Sequence, residues 1–275
     1  LLEVRPALDF NSDGTLERLP VAAAGLAFAI TDATPIAYRK IVDIEKCNDC
    51  HLEVTLHGNS RTGNAELCAT CHNPNATDIN RRVADSNCES VTGTLDDQTI
   101  DFKVMIHAIH AGSLAGYKVC GFGNTGYDFS NVRYPGRLNN CEGCHLPDTY
   151  YPPATGAALA TTFDAGDRST PLGDIAVSSG AAVCTSCHTS GEAALHMEIN
   201  GAAFSAVKDA DSLTPGAPLE TCGVCHGKGA GPASLVHLYP VDGQARALWI
   251  APAGTPVPDG PALAPDDWRW SEVMS

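Results

Sequence analysis

Ten of the twelve cysteines in this chain follow one repeated pattern, in which two cysteines stand three positions apart and a histidine follows the second. On one helical turn, positions i, i+3 and i+4 share a face, so two thiols and an imidazole reach a single planar group together. This spacing is typical of covalent c-type haem attachment, in which the thiols become thioethers and the imidazole an axial iron ligand. The five copies, motifs 1 to 5 below, are Cys47–His51, Cys68–His72, Cys141–His145, Cys184–His188 and Cys222–His226.

Two other uses of paired cysteines fit this pattern less well. A structural zinc site needs four ligands in a closed tetrahedron and has no need of a histidine after every pair. A thioredoxin-like redox pair occurs once, within a strand–helix–strand unit. We therefore predict five covalently attached haem c groups. The cysteines that would hold them are Cys47, Cys50, Cys68, Cys71, Cys141, Cys144, Cys184, Cys187, Cys222 and Cys225.

The histidine count also matches five haems. Five irons with one motif histidine each need five further axial ligands, and of the 10 histidines five lie outside the motifs. We predict bis-histidine ligation of every iron, although the spacing does not assign a spare histidine to each haem. Met105, Met197 and Met274 could compete as axial ligands, but a packing role is favoured for them, which implies low haem potentials. The predicted ligands are the motif histidines His51, His72, His145, His188 and His226, and the spare histidines His57, His107, His110, His196 and His237.

Two of the spare histidines lie in one apolar segment. Residues Asp101–Ala111 (DFKVMIHAIHA) predict a buried helix. His107 and His110 are i and i+3, so their side chains leave the same face, about 5–6 Å apart at Cβ. Neighbours on one face do not bind one iron from opposite sides. We therefore expect them to ligate two different haems and to hold those haems close together.

The composition restricts the partners and the compartment. The formal net charge is −15, and haem propionates would make it more negative, which argues against nucleic acid or anionic lipid as a partner. The longest apolar run, Val21–Ile30, is shorter than the roughly 20 residues of a membrane span, so no transmembrane segment is expected. No charged n-region or cleavage site precedes this run, so we do not expect it to be a signal peptide. Because haem attachment takes place outside the cytoplasm, we expect an exported protein whose signal was removed or lies outside this sequence.

Two cysteines remain outside the motifs, Cys88 and Cys120. Disulfides persist in the oxidising compartments to which this protein would be exported. A Cys88–Cys120 disulfide is therefore predicted, with two free buried thiols as the alternative.

The chain divides into three parts. Residues 1–45 contain no cysteine or histidine and have short apolar runs between turn residues, so they predict a small β-rich lead-in segment, too short for a core of its own. Residues 46–240 hold every candidate ligand and form the predicted pentahaem c-type cytochrome domain. Its fold class is that of a multihaem cytochrome c, mostly irregular, with short α-helices around five covalent haems. Residues 241–275 form a proline-rich C-terminal tail.

The segment from about Ile41 to Pro240 resembles the pentahaem module of the OmcA/MtrC family of extracellular multihaem c-type cytochromes, surface proteins of metal-reducing bacteria. The likeness is carried by residues Lys46–Asp78, Asp101–Gly112, Val132–His145 and the two later motifs. It implies that the five spare histidines are distal haem ligands. Typical members of the family hold ten haems in two such modules, each preceded by a β-barrel-like domain, whereas this chain has one module and a short lead-in.

These observations predict electron transfer through five closely spaced bis-histidine haems to an extracellular acceptor such as a metal oxide, an electrode or a flavin. The partners would be redox proteins and these acceptors, and the location the cell surface or the extracellular space, with the periplasm as the alternative. A second hypothesis is self-assembly into a polymeric cytochrome filament. A multihaem enzyme with an open haem site is less favoured, because multihaem nitrite reductases replace one motif histidine by lysine and none of these motifs does. Enzymatic activity therefore stays an open question, limited to a non-specific reduction of metals.

Overall fold

The structure, a computed structural model, describes residues 4–35, 38–82, 87–93, 97–153, 157–210 and 220–228. Regular structure in these residues is short: the longest helix has 10 residues and the longest strand has 4. The predicted architecture of short helices in a largely irregular chain is therefore confirmed. The helices are α1 (Ile44–His51), α2 (Ala65–Cys71), α3 (Glu89–Thr92), α4 (Phe102–Ala111), α5 (Ser179–Cys184), α6 (Gly191–Ile199) and α7 (Cys222–His226). Single 3₁₀ turns lie at Ile79–Arg81, Gly112–Leu114, Phe122–Asn124 and Cys141–Gly143.

The strands of the described residues form small antiparallel sheets. They are β1 (Ala7–Leu8), β2 (Glu17–Arg18), β3 (Thr55–Leu56), β4 (Arg61–Thr62), β5 (Lys118–Cys120), β6 (Gly126–Asp128), β7 (Thr161–Asp164), β8 (Ile175–Val177) and β9 (Ala206–Val207). Strands β1–β2, β3–β4 and β5–β6 pair two by two, and β8 lies between β7 and β9. Most of the β-structure therefore follows residue 46 and does not lie in the lead-in segment.

The lead-in segment has less β-structure than predicted. Its only strands among the described residues are the two-residue pair β1 and β2, and the apolar run that follows them makes an isolated bridge, from Ala22 to Thr62 of β4. Leu26, Phe28 and Ile30 are instead exposed. The segment packs on the β3–β4 hairpin: the Ala23 amide donates to the Thr62 carbonyl at 2.9 Å, and the Asn59 side chain donates to the Arg18 carbonyl at 2.8 Å. Residues 36–37, part of another predicted apolar run, lie outside the described residues.

Helix α4 lies at the centre of the described fold, as its apolar sequence predicts. Its buried residues Val104, Ala108 and Ala111 form one stripe with helical spacing. Val104 packs in one core cluster with residues of β8, α5 and α6, and Ala108 packs in another with Tyr117 and Val119. The helix ends at Gly112, whose φ is +56° and where a Cβ would lie 2.2 Å from the Val132 carbonyl oxygen. The stripe leaves an adjacent face of α4 for His107 and His110.

The two non-haem cysteines form a disulfide between α3 and β5. Cys88 and Cys120 are bonded with their Cα atoms 5.5 Å apart, so the predicted pairing is confirmed. The buried carboxylate of Asp78 connects this disulfide to the segment after motif 2. It accepts from the Cys120 amide at 2.7 Å, from the Gln98 amide at 2.8 Å and from the Arg82 guanidinium at 2.7 and 2.9 Å.

The methionines of the described residues pack in the core. Met197 is buried in the cluster that contains Val104, and Met105 packs against the cluster around Tyr117. The predicted packing role is thus confirmed for these two residues. Met274 and the whole tail 241–275 lie outside the described residues.

Candidate haem sites

Each of the five motifs is built around one helical turn, although only some lie within a regular helix. Motif 1 ends helix α1, motif 2 lies in α2 with its histidine just beyond, and motif 5 makes up α7. Motif 3 lies in a 3₁₀ turn, and motif 4 begins at the last residue of α5. In motifs 2, 3 and 4 the histidine amide donates to the carbonyl of the first cysteine at 2.9 Å. This bond closes the turn and brings both thiols and the imidazole to one side.

Four motif histidines each stand opposite one spare histidine. The ring centres are 6.0 Å apart for His51 and His110, 6.1 Å for His57 and His72, 5.9 Å for His107 and His145, and 6.3 Å for His196 and His226. His188 and His237 remain, and His237 lies outside the described residues.

The separation of the paired rings fits one metal ion between them. An imidazole nitrogen lies about 2 Å from a bound transition metal, so two imidazoles on opposite sides of it have ring centres about 6 Å apart. A tetrahedral zinc site would bring four ligands together, and no group of three or more metal-binding side chains meets in the described part of the chain. The donor set of two thiols and two opposed imidazoles is the one that a c-type haem requires.

The pairs differ in the angle between their imidazole planes. The angle is 30° for His107 and His145 and 34° for His57 and His72, which are near-parallel pairs. It is 69° for His51 and His110 and 85° for His196 and His226, which are near-perpendicular pairs. The four pairs therefore fall into two classes by the angle between their imidazole planes, with two pairs in each class.

Helix α4 supplies the spare histidine of two sites. The first residue of the helix, Phe102, lies next to motif 2 in space, and its amide donates to the His72 carbonyl at 2.9 Å. His110 faces motif 1, and His107, one turn earlier, faces motif 3. The Nδ1 atoms of both bond to backbone carbonyls of α4 itself, those of Ile106 and Lys103. These bonds leave the other ring nitrogen, Nε2, of each histidine to bind a metal ion.

His57 reaches motif 2 from the tip of the β3–β4 hairpin. The turn places His57 at a φ of +54°, with Gly58 and Asn59 also in the left-handed region. The Ser60 hydroxyl donates to the His57 carbonyl at 2.8 Å and fixes this turn. The hairpin follows motif 1 in the chain, but its histidine lies opposite the histidine of motif 2. The spacing in the sequence alone does not reveal this pairing.

Each candidate haem site is numbered after its motif, and sites 1 and 3 adjoin one another. Leu146, just after motif 3, donates to the carbonyl of Ile41, and Asp43 donates to the carbonyl of Cys144, at 2.9 and 3.1 Å. A hydrogen bond between the thiols of Cys47 and Cys144 lowers the pKa of Cys144. The two thiols belong to different motifs, so the two sites meet edge to edge. This agrees with the placement of their spare histidines on one face of α4.

The histidines of site 3 are neutral. Burial, the neighbouring His107 and Lys46 lower the pKa of His145 to about 4. Burial also lowers the pKa of His107, against the effect of its bond to the Lys103 carbonyl. A neutral imidazole is the form that binds a metal ion, so at pH 7 both rings are ready to serve as ligands.

Glu220 joins motif 5 to the helix of motif 4. Its carboxylate accepts from the Ser178 hydroxyl at 2.6 Å and from the amides of Gly180 and Ala181 at 2.8 and 2.9 Å, which are the free donors at the start of α5. At the same end of the chain, the Thr221 amide donates to the carbonyl of Asn200, which ends α6. Sites 4 and 5 are therefore held together by hydrogen bonds.

We expect Glu220→Ala to destabilise this part of the protein. The change leaves amide and hydroxyl donors at the start of α5 without their carboxylate, and a hydrogen bond to a charged group contributes about 1.5–3 kcal/mol. Thermal unfolding of the haem-loaded protein, followed by the Soret band, should shift to lower temperature. Glu192→Ala, at an exposed position in the first turn of α6, is the matched control. Equal shifts in the two variants would contradict this role of Glu220.

Two residues of this arrangement had no recognisable signal in the sequence. Lys46 directly precedes motif 1, yet its ammonium contacts motif 3. Glu220 precedes motif 5, yet it binds the start of α5, the helix that leads into motif 4. Both contacts join segments that are distant in the chain. Neither residue type is specific enough for its role to be predicted without the fold.

Two comparisons with known proteins give matches. Residues 39–237 match the family model described as outer membrane cytochrome MtrC/MtrF-like, domains II/IV. The crystal structure of the outer membrane decahaem cytochrome OmcA aligns with a TM-score of 0.45 and 24% identity, over 76% of this chain and 27% of that chain. The chain thus spans about a quarter of the length of that protein. A comparison with curated protein sequences gives no significant match.

The motifs and the opposed imidazoles define a multihaem c-type cytochrome. Because the family model covers more than two thirds of the chain, the protein belongs to the family of MtrC/MtrF-like outer membrane cytochromes. The predicted resemblance to the OmcA/MtrC family is therefore confirmed. None of the helices in the described ranges has both the length and the apolar character needed to cross a membrane.

Proposed function

We propose that this chain is an electron-transfer protein that holds five haem c groups, each between two histidines. The observation that carries the proposal is the set of four opposed imidazole pairs, with ring centres 5.9 to 6.3 Å apart. Each pair combines one motif histidine with one spare histidine. The ten motif cysteines would hold the five groups covalently.

When bound, c-type haems take up and release single electrons. The residues of this chain fix where that happens. At the four described pairs the two histidines would both bind the haem iron, which would leave no position there for a substrate. Helix α4 holds sites 1 and 3 side by side, and Glu220 holds motif 5 against α5. This arrangement supports outer-sphere electron transfer and gives no support to an enzyme that binds its substrate at iron.

We infer the fifth histidine pair by elimination, from the histidines that the other four pairs leave over. His188 is the motif histidine that remains, and His237 is the spare histidine that remains. We assign His237 to motif 4 on this ground. The domain boundaries at residues 46 and 240 stay a prediction, and residues 39–45 belong to the matched segment as well.

The extracellular role follows from family membership and charge. We propose that the protein is exported to the cell surface or beyond and passes electrons between redox proteins and acceptors such as metal oxides, electrodes or flavins. The net charge of −15 favours cationic acceptors and partners. Filament formation stays a prediction, and electron microscopy of the purified protein tests it directly.

Haem content and spin state test the proposal. The purified protein should contain five haems per chain by pyridine haemochrome assay against protein mass, and the oxidised protein should give only low-spin ferric signals. His237→Ala should keep five haems and convert one of them to high spin. Fewer than five haems in the unmodified protein would contradict the proposal. A high-spin haem in the unmodified protein would favour an enzyme with an open site.

A further inference from the structure

One ring nitrogen at site 3 differs from its counterparts. The Nδ1 atom of His145 is buried and has no hydrogen-bond partner among the described residues. Its ring centre lies 5.9 Å from that of His107 and 6.3 Å from that of Tyr150, whose ring is perpendicular to it. Neither contact provides an acceptor for an N–H group. A buried N–H without an acceptor is uncommon in folded proteins, so it requires an explanation.

The motif histidine of site 2 provides the comparison. The Nδ1 of His72 lies 2.9 Å from the carbonyl oxygen of Ile100. Donation of this proton raises the basicity of the ring as a metal ligand, which stabilises the oxidised iron. Sites 2 and 3 have the same ligand types and nearly the same angle between imidazole planes, 34° and 30°. The hydrogen bond at the motif histidine is therefore one difference between sites 2 and 3.

A cation lies at site 3 as well. The ammonium of Lys46, on α1, donates to the carbonyls of Glu142 and His145 at 2.7 and 3.0 Å. It is thus fixed within the turn that carries the motif. Reduction of a haem adds one negative charge, and a nearby cation stabilises the reduced form. The fixed cation and the missing hydrogen bond act in the same direction.

The acidic groups nearby do not cancel this effect. Glu142 is exposed, so its charge is screened by water, and its carboxylate accepts from the Tyr150 hydroxyl at 3.0 Å. The carboxylate of Asp43 accepts from the Glu45 amide at the start of α1 and lies 3.9 Å from the ammonium of Lys40. Lys46 is the cation that contacts motif 3 directly.

We propose that Lys46 and the unbonded Nδ1 of His145 raise the reduction potential of the haem at motif 3 above that of the haem at motif 2. Site 3 is then reduced first of the two, and an electron there is next to site 1. Lys46 is a positioning residue in this scheme, because it acts through its charge and does not contact the iron. The proposal rests on the haem sites proposed above.

The test is a redox titration of the haem-loaded protein followed by electron paramagnetic resonance. Near-parallel and near-perpendicular imidazole pairs split the iron d orbitals differently, so the two classes of low-spin signal are followed separately. In the unmodified protein, at least two near-parallel haems should titrate at different potentials. In Lys46→Met, the near-parallel haem with the higher reduction potential should become harder to reduce. Its reduction equilibrium constant should fall about tenfold, which corresponds to a decrease of 59 mV in the potential for one electron. Lys46→Arg should restore it.

Lys40→Met is the matched control, because it removes an equal charge from an exposed lysine that has no bond to motif 3. An unshifted component in Lys46→Met, with five low-spin haems retained, would overturn the tuning and leave the proposed function intact. Equal shifts of the reduction potential in Lys46→Met and Lys40→Met would also overturn it, because the loss of any nearby positive charge would then have the same effect. Coincident near-parallel components in the unmodified protein would overturn it without any variant. Fewer than five haems in the unmodified protein would instead refute the proposed function.

Discussion

His110→Ala is expected to convert the haem at motif 1 from low spin to high spin, while all five haems stay attached. The alanine removes the imidazole that stands 6.0 Å from His51, and the Cys47 and Cys50 attachment is unaffected. The site that changes belongs to the near-perpendicular class, with 69° between the rings. One near-perpendicular signal should therefore disappear from the resonance spectrum, and one high-spin signal should replace it.

His107→Ala is the matched variant, because it lies one turn away on the same helix. It should remove a near-parallel signal, since His107 faces His145 at 30°. The double variant should lose one signal of each class and gain two high-spin haems. Added imidazole should return each variant to low spin, because it fills the position left by the side chain. Loss of the same signal in both single variants would show that the two histidines serve one haem, which contradicts the assignment.

The motifs and the two histidines of α4 can be read from the sequence alone, for a physical reason. Haem attachment needs a fixed local spacing, so every motif can be read without the fold. The helical spacing of His107 and His110 likewise places both rings on one face of the helix, whatever the path of the rest of the chain. Helix α4 and the disulfide are predictable on similar local grounds, the first from a run of apolar residues and the second from the two cysteines outside the motifs.

The assignment of spare histidines to motifs could not be predicted. It depends on how distant segments meet, as when the β3–β4 hairpin after motif 1 brings His57 to motif 2. The same limit applies to Lys46, whose partners lie 96 or more positions away in the chain, and to Glu220, whose partners lie about 40 positions away. The lead-in segment has less β-structure than its sequence predicts, for a different reason. Its apolar runs predicted strands, but a strand needs a neighbour, and most of these residues have none in the described structure.

The second large effect concerns folding without haem. Among the described residues, no leucine, isoleucine or phenylalanine is fully buried, and the largest fully buried side chains are threonines, Asp78, Cys88 and Ser178. Large apolar side chains are exposed next to the candidate ligands instead. Those beside the motifs and the spare histidines include Leu52, Leu56, Leu195, Ile199 and Val224. Their burial requires an apolar group at these sites, which a porphyrin supplies.

Replacement of all ten motif cysteines by alanine, in a protein produced without added haem, is therefore expected to give an unfolded chain. The two small apolar clusters and the Cys88–Cys120 disulfide do not bury enough apolar surface to offset the conformational entropy of a chain of this length. Far-UV circular dichroism should show no cooperative thermal transition, and amide hydrogens should exchange without protection.

A variant that loses only motif 5, Cys222→Ala with Cys225→Ala, separates the contributions of the sites. It should keep four covalent haems and the near-parallel signals of sites 2 and 3, because those sites have their ligands elsewhere in the chain. Its unfolding should remain cooperative but begin at lower temperature, since Ile199 and Val224 lose the surface that would cover them. A cooperative transition in the haem-free chain would contradict this argument, because it would mean that the protein part alone provides a sufficient core. Haem binding and folding would then be independent events, whereas the composition of the described core couples them.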